Sequence, residues 1–181
     1  SASDDSNLYM KVSLSSDLSD ASWQDYSSST TMNLETDPDT VYVQFKDDYG
    51  NSSNILSATT PETPTAVMIQ DTSNMNLSPA EYRLFVAWKV VENPPSASFL
   101  RYNILRSDDG GNSYHKIAEV TNQNTNYYAD NTVSFDTVYY YKVTTEDENH
   151  NISFLSSAVY GKANGTQDAG EGGGGSDTTA P

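Results

Sequence analysis

Apolar and polar residues alternate with a period of two in short runs along this chain, and no other feature restricts its fold so tightly. Val41, Val43 and Phe45 alternate with Tyr42, Gln44 and Lys46; Tyr82, Leu84, Val86, Trp88 and Val90 keep the same beat, as do Tyr139, Tyr141 and Val143. Successive side chains of a strand point to opposite faces of its sheet, so each run reads as a half-buried strand of an antiparallel sheet. Turn-forming stretches separate the runs: "DDYGNSS" at 47–53, "SDDGGNS" at 107–113 and "NQNTN" at 122–126. No window carries the three-to-four-residue apolar spacing of an amphipathic helix. "SPAEYRL" from Ser78 opens like a helix, with a capping serine, then proline, and Glu81 three residues after the cap. It runs directly into an alternating strand, which leaves room for one short turn. The chain is expected to be all-β.

Composition then limits the function. The 181 residues include 25 acidic and 9 basic side chains, for a net charge of −16, and 35% are apolar. The low apolar share suits thin sandwiches whose outward strand faces are polar. So negative a surface repels nucleic-acid phosphates and anionic lipid, so neither is an expected partner, and it attracts cations. The absence of cysteine excludes disulfides, thiol catalysis, thiolate zinc sites and covalent haem attachment within these residues. No stretch approaches the roughly 20 apolar residues that cross a bilayer, so direct membrane insertion is not expected. The opening "SASDDSNLYM" has no Met, basic segment or apolar segment of a signal peptide. The expectation is a part of a longer, processed polypeptide.

Two segments punctuate the chain. "TTPETPT" at 59–65 favours extended backbone and reads as a short, stiff joint. "ANGTQDAGEGGGGSDTTAP" at 163–181 reads as a flexible tether. Between them lies a unit of about a hundred residues, the size of a seven-stranded sandwich. The chain also writes one ending twice: "VYVQFKDDYGNSS" from Val41 and "YYYKVTTEDENHNIS" from Tyr139.

Within the middle unit the segments "FVAWKV" at 85–90, "YNILRSDDGGNSYHKIAEV" at 102–120, "NYYAD", "TVYYYKVTTEDENHNIS" and "FLSSAVY" follow in order. On these, residues 61–163 resemble a fibronectin type III domain of the kind found in secreted bacterial proteins. The resemblance implies that Trp88 is a core indole and that Tyr139 is a tyrosine corner whose hydroxyl reaches back to main chain. It also implies that Tyr141 and Val143 point into the core. His150 departs from the pattern, standing where relatives often carry Gly, as at Gly50 in the first ending. A β-carbon is unwelcome at positive φ, so Asn149 is expected to take the left-handed conformation instead.

"SASDDSNLYMKVSLSSDLSDASWQDY" and "TVYVQFKDDYGNSS" make residues 1–60 resemble a bacterial Ig-like surface repeat. The resemblance implies that this sandwich lacks its first strand and most of its second. "SDTTAP" resembles the opening of a further repeat. The expected organisation is therefore all-β, with tandem antiparallel β-sandwiches. A partial Ig-like sandwich at 1–60, incomplete at its N-terminus, precedes a fibronectin type III domain at 61–163. A Gly-rich linker at 164–181 then leads toward another domain.

Several groups are candidates for chemistry. "DDYGN" offers Asp47, Asp48 and Asn51, and "EDENHN" offers Glu146, Asp147, Asn149 and Asn151, as oxygen ligands for calcium. The alternative is that Asp and Asn sit there because they hold tight turns; neither loop has the spacing of a helix-flanked calcium loop. Asp47, Asp48 and Asn51 are the first choice for a calcium site, and no other cofactor is implied. Trp23, Tyr26, Tyr127 and Tyr128 could stack on sugar rings or cap a sandwich core. His115 and His150 lie in separate hairpin regions, both expected in solvent. No serine elbow, zinc-binding His pair or phosphate-binding glycine loop occurs, so an enzyme active site is not expected in these residues. Four Asn-x-Ser/Thr triplets begin at Asn51, Asn76, Asn151 and Asn164; several arise by chance in so Asn- and Ser-rich a chain, and they would matter only in a host that glycosylates them.

Three readings remain open. The first is a non-catalytic spacer or adhesive stalk of an extracellular, cell-surface protein of a bacterium or archaeon, meeting protein or glycan there. The second is an accessory region of a large secreted enzyme or multihaem electron-transfer protein. The third is a subunit of an extracellular filament or surface layer that associates with its own copies.

Overall fold

The computed structural model describes residues 7–37, 39–92 and 98–165. Eleven strands and no helix form among the described residues. The opening "SASD", most of the Gly-rich tether and its "SDTTAP" ending lie outside them.

The strands β1 (Leu8–Ser13), β2 (Gln24–Asp25), β3 (Thr40–Asp47) and β4 (Leu56–Thr59) make one antiparallel sheet in the order β2-β1-β3-β4. Met10 lies opposite Phe45, and Val43 lies opposite both Val12 and Leu56, which gathers the apolar residues on one face. Tyr9, Lys11, Gln44 and Lys46 occupy the other. Met10 is 3% exposed, but Leu8 and Leu56 remain 43% and 54% exposed. Every residue of β3 is only half-buried. The alternation therefore forms the expected strands without a second sheet to close over them among the described residues.

The remaining strands are β5 (Met68–Asp71), β6 (Leu84–Ala87), β7 (Phe99–Ser107), β8 (His115–Val120), β9 (Tyr127–Asp130), β10 (Val138–Asp147) and β11 (Val159–Lys162). They build a four-stranded sheet, β11-β10-β7-β8, and a three-stranded sheet, β5-β6-β9. Leu84, Val86, Trp88, Tyr102, Ile104, Tyr139, Tyr141 and Val143 form the core between them. The Trp88 indole is 2% exposed and meets the Tyr102 ring edge-on at 5.1 Å. The main-chain N–H of Ser134 donates to the Tyr139 hydroxyl at 3.1 Å, closing the expected tyrosine corner.

Two local expectations change. The beat of β6 stops after Trp88: Val91 is buried at 3% and Val90 is only half-buried. Here the chain leaves its ladder, with Lys89 N–H donating to Thr65 O and Val91 N–H to the Tyr102 hydroxyl. At Ser78 no helical turn forms. Asn74 and Glu81 exchange two main-chain hydrogen bonds, of 2.8 and 3.0 Å, so residues 75–80 close a loop between β5 and β6. Strand pairing outweighs the local capping preference.

The order β2-β1-β3-β4 matches β8-β7-β10-β11 strand for strand. The repeated ending is thus the same sheet edge built twice: β3, turn and β4, then β10, turn and β11.

Candidate functional site: the acidic turns and the joint

The two acidic turns share one hydrogen-bond scheme. In the first, Asp47 Oδ1 accepts from Asn51 N at 2.8 Å and Oδ2 from Asn51 Nδ2 at 2.7 Å. In the second, Asp147 Oδ1 accepts from Asn151 N at 2.9 Å and Oδ2 from Asn151 Nδ2 at 2.8 Å. Asp147 also takes Asn149 N at 2.9 Å. Each aspartate N–H donates to the asparagine carbonyl, and the residue before the asparagine donates back, at 2.9–3.1 Å. The Asn51 amide holds the Asp47 carboxyl below its usual range.

A serine completes each turn. Ser53 N donates to Phe45 O at 2.9 Å while its hydroxyl accepts from Phe45 N at 3.1 Å. Ser153 does the same for Thr145, at 2.9 and 3.0 Å, and Ser156 for Val143, at 3.1 and 2.9 Å. These serines supply both the donor and the acceptor of a ladder rung, so β10 stays paired although segment 152–157 is not regular strand. Composition alone did not reveal this role. The shared spacing Asp-x3-Asn-x-Ser, 47/51/53 and 147/151/153, is the signal that carries it.

The first-choice calcium ligands do not converge. Both Asp47 oxygens face Asn51, while Asp48 Oδ2 accepts from Asn7 N at 2.9 Å. Calcium takes six to eight oxygens, and no group of three acidic or histidine side chains is placed to hold a metal among the described residues. The turn is closed by its own amides.

The second turn does depart from the first, and not as expected. His150 itself is left-handed, with φ +64°, alongside φ +86° at Gly50. Its Nδ1 lies 2.8 Å from Glu146 Oε1. Glu146 in turn takes Arg101 Nε and Nη2, at 2.8 and 3.0 Å, and Asn103 Nδ2 at 3.1 Å. The ring thus makes a contact that a glycine there could not, at a position where a β-carbon is costly. Arg101 foremost, then His150 and Asn103, bring the Glu146 carboxyl down to about 2, against the opposing effect of burial.

Deeper in the sandwich, Asp130 is fully buried and accepts from Tyr141 Oη, Arg106 Nη1 and Thr132 Oγ1 at 2.9, 2.9 and 2.6 Å. Burial pushes its carboxyl up, but the Thr132, Arg106 and Tyr141 bonds outweigh that and leave it below its usual range. A buried carboxylate so completely satisfied locks the two sheets together.

The joint is held from both sides. Asp39 N donates to Thr60 Oγ1 at 2.9 Å, and Thr60 N to Asp39 O at 2.8 Å. Thr63 N donates to Asp37 Oδ1 at 3.1 Å, while Thr63 Oγ1 donates to Phe154 O at 3.2 Å. Asp37 precedes β3 and Phe154 follows the second acidic turn, so one threonine binds both sheet systems. Pro61, Thr63 and Pro64 are buried. The Pro/Thr segment thus carries tertiary bonds to both flanks that sequence reasoning missed.

The aromatic candidates do not share a platform. Trp23 lies with Lys11 and Lys46, whose ammonium groups sit 5.4 and 4.6 Å from its ring centre. Tyr26 instead meets Phe45 on the apolar face, at 6.1 Å. Tyr127 stacks on Phe85 at 5.1 Å, and Tyr128, next along β9, packs against the core. His115 and His150 both reach solvent, with side chains 55% and 70% exposed. A groove of about 350 Å³ runs over Leu105, Ile152 and Leu155. The Ser153 hydroxyl at its edge already accepts from Thr145 N and donates to Phe154 O.

No protein-family profile matches the chain, and no curated protein matches it either. Among solved structures it is similar to the FN1-FN3 domains of chicken CNTN1, with TM-score 0.45 and 12% identity over 88% of this chain and 54% of that one. It is also similar to domains A168-A170 of titin, with TM-score 0.47 and 12% identity over 91% of this chain and 56% of that one. The chain spans about half the length of each. Its own two-layer packing, indole core and tyrosine corner describe an FN3/Ig-like β-sandwich.

Proposed function

We propose that this chain is a non-catalytic spacer of a multidomain extracellular surface protein, holding whatever it carries at a set distance and angle. The joint is the observation that supports this reading. A flexible connector would leave its polar groups to water, whereas Thr63 binds Asp37 on one side and the Phe154 carbonyl on the other. The strongly acidic surface keeps neighbouring copies apart and favours an individual strut over a packed layer. The turn clamps and serine rungs protect the sheet edges along which tension would pass.

Nitrogen-15 relaxation tests the spacer reading. Both sheet systems should report one rotational correlation time, and Thr63→Val combined with Asp37→Ala should split it into two. Two separate times in the unaltered chain would refute a stiff spacer. Antibody labelling of intact against permeabilised source cells tests the location; labelling only after permeabilisation would refute it.

A further inference from the structure

The fold treats the four Asn-x-Ser/Thr triplets unequally. Asn51 and Asn151 spend their side-chain amides on Asp47 and Asp147, at 2.7 and 2.8 Å, and the hydroxyls of Ser53 and Ser153 accept strand N–H groups. Asn164 is half-buried, and its main-chain N–H, with that of Gly165, is held by Asp71 Oδ2 at 2.8 and 2.7 Å.

Asn76 differs in what its side chains engage, although the Asn51 triplet is equally exposed. It lies on the loop between β5 and β6, where Asn76, Leu77 and Ser78 are all exposed. Its main-chain N–H donates to Asn74 Oδ1 at 3.1 Å, but its side-chain amide bonds to no other described residue. Two apolar side chains flank it in water, Met75 at 43% and Leu77 at 44% exposed. Three accessible residues, an unengaged amide and an unengaged hydroxyl are what a glycosyl transferase needs to thread the triplet.

We propose that Asn76 is the acceptor for an N-linked glycan, an inference that rests on the extracellular reading above. Asn76 Nδ2 attacks the anomeric carbon of a lipid-linked saccharide. The new N–C bond forms as the C–O bond to the lipid phosphate breaks; the phosphate leaves with the electron pair, and a base of the transferase takes the amide proton. The attached sugar lies over Met75 and Leu77 and covers apolar surface. Pro79 follows the triplet and confines Ser78 to extended backbone, so occupancy is partial.

The test is to express the whole chain behind a secretion leader in a host that N-glycosylates, and to map glycopeptides by mass spectrometry. The leader delivers the chain whatever its natural location, so a failure here speaks against Asn76 and not against the spacer reading. The expected result is a glycan at Asn76 and none at Asn51 or Asn151, lost in Asn76→Gln and at least doubled in occupancy in Pro79→Ala. A chain unmodified at Asn76 in both the parent and Pro79→Ala, or modified at Asn51 or Asn151, would overturn the proposal. Mapping on the parent chain avoids any dependence on how the variants fold.

Discussion

Replacing Asp147 by Ala tests whether the acidic turns are clamps or ligands. The Asp147 side chain is fully buried and accepts Asn149 N, Asn151 N and Asn151 Nδ2 at 2.9, 2.9 and 2.8 Å. Alanine leaves all three donors without an acceptor. A hydrogen bond to a charged group contributes about 1.5–3 kcal/mol, and water recovers part of that where the donors are half-exposed, so the loss should be roughly 3 kcal/mol. For a sandwich of this size each kcal/mol shifts Tm by about 4–8 °C, so the melting point should fall by about 12–24 °C. The assay is urea unfolding followed by tryptophan emission in a Trp23→Phe background, where Trp88 is the single reporter. Run with calcium and with chelator, the clamp reading expects the same loss in both. A loss seen only with calcium present, or a loss below about 1 kcal/mol, would refute it.

Three further outcomes follow from the same geometry. Glu146 is brought down to about 2 in the folded protein, so the unfolded chain binds more protons between that value and the ordinary glutamate range. Its stabilisation is therefore complete above about pH 4.5 and is lost as pH falls toward 2; Glu146→Gln should flatten this part of the stability profile. At position 150, where φ is +64°, Gly should be more stable than Ala by about 1 kcal/mol, measured by urea midpoint; equal stabilities would mean that the backbone there is not left-handed. Trp88→Ala should cost about 3–5 kcal/mol by cavity formation, a large part of the ~5–15 kcal/mol of a typical domain, and an unchanged calorimetric transition would remove the indole from the core.

How far the sequence could be read depended on the range of each interaction. The alternation at Tyr139, Tyr141 and Val143 and the turns at 47–53 and 107–113 are short-range signals. They placed strands and hairpins because a strand's period and a turn's φ values are set by adjacent residues. Val90 shows where that ends: it continues the alternation in sequence, but bonds from Lys89 to Thr65 and from Val91 to Tyr102 take the chain off its ladder and turn Val91 inward instead.

The candidate site divides the same way. That Asp, Asn and Ser gather at 47–53 and 147–153 is written in the chain. Whether their oxygens face a cation or one another is decided by how the turn closes. The ring contact at His150 depends on Glu146, which Arg101 holds from forty-five residues away. The bonds at the joint depend on Asp37, which precedes β3, and on Phe154, which follows the second acidic turn, each far from Thr63 in sequence. Alternation and turn chemistry thus determined an all-β chain with two matching sheet edges. Which carboxylates are spent, which histidine bends backward and which asparagine is left unengaged came only from tertiary structure, because each depends on a partner that no local window contains.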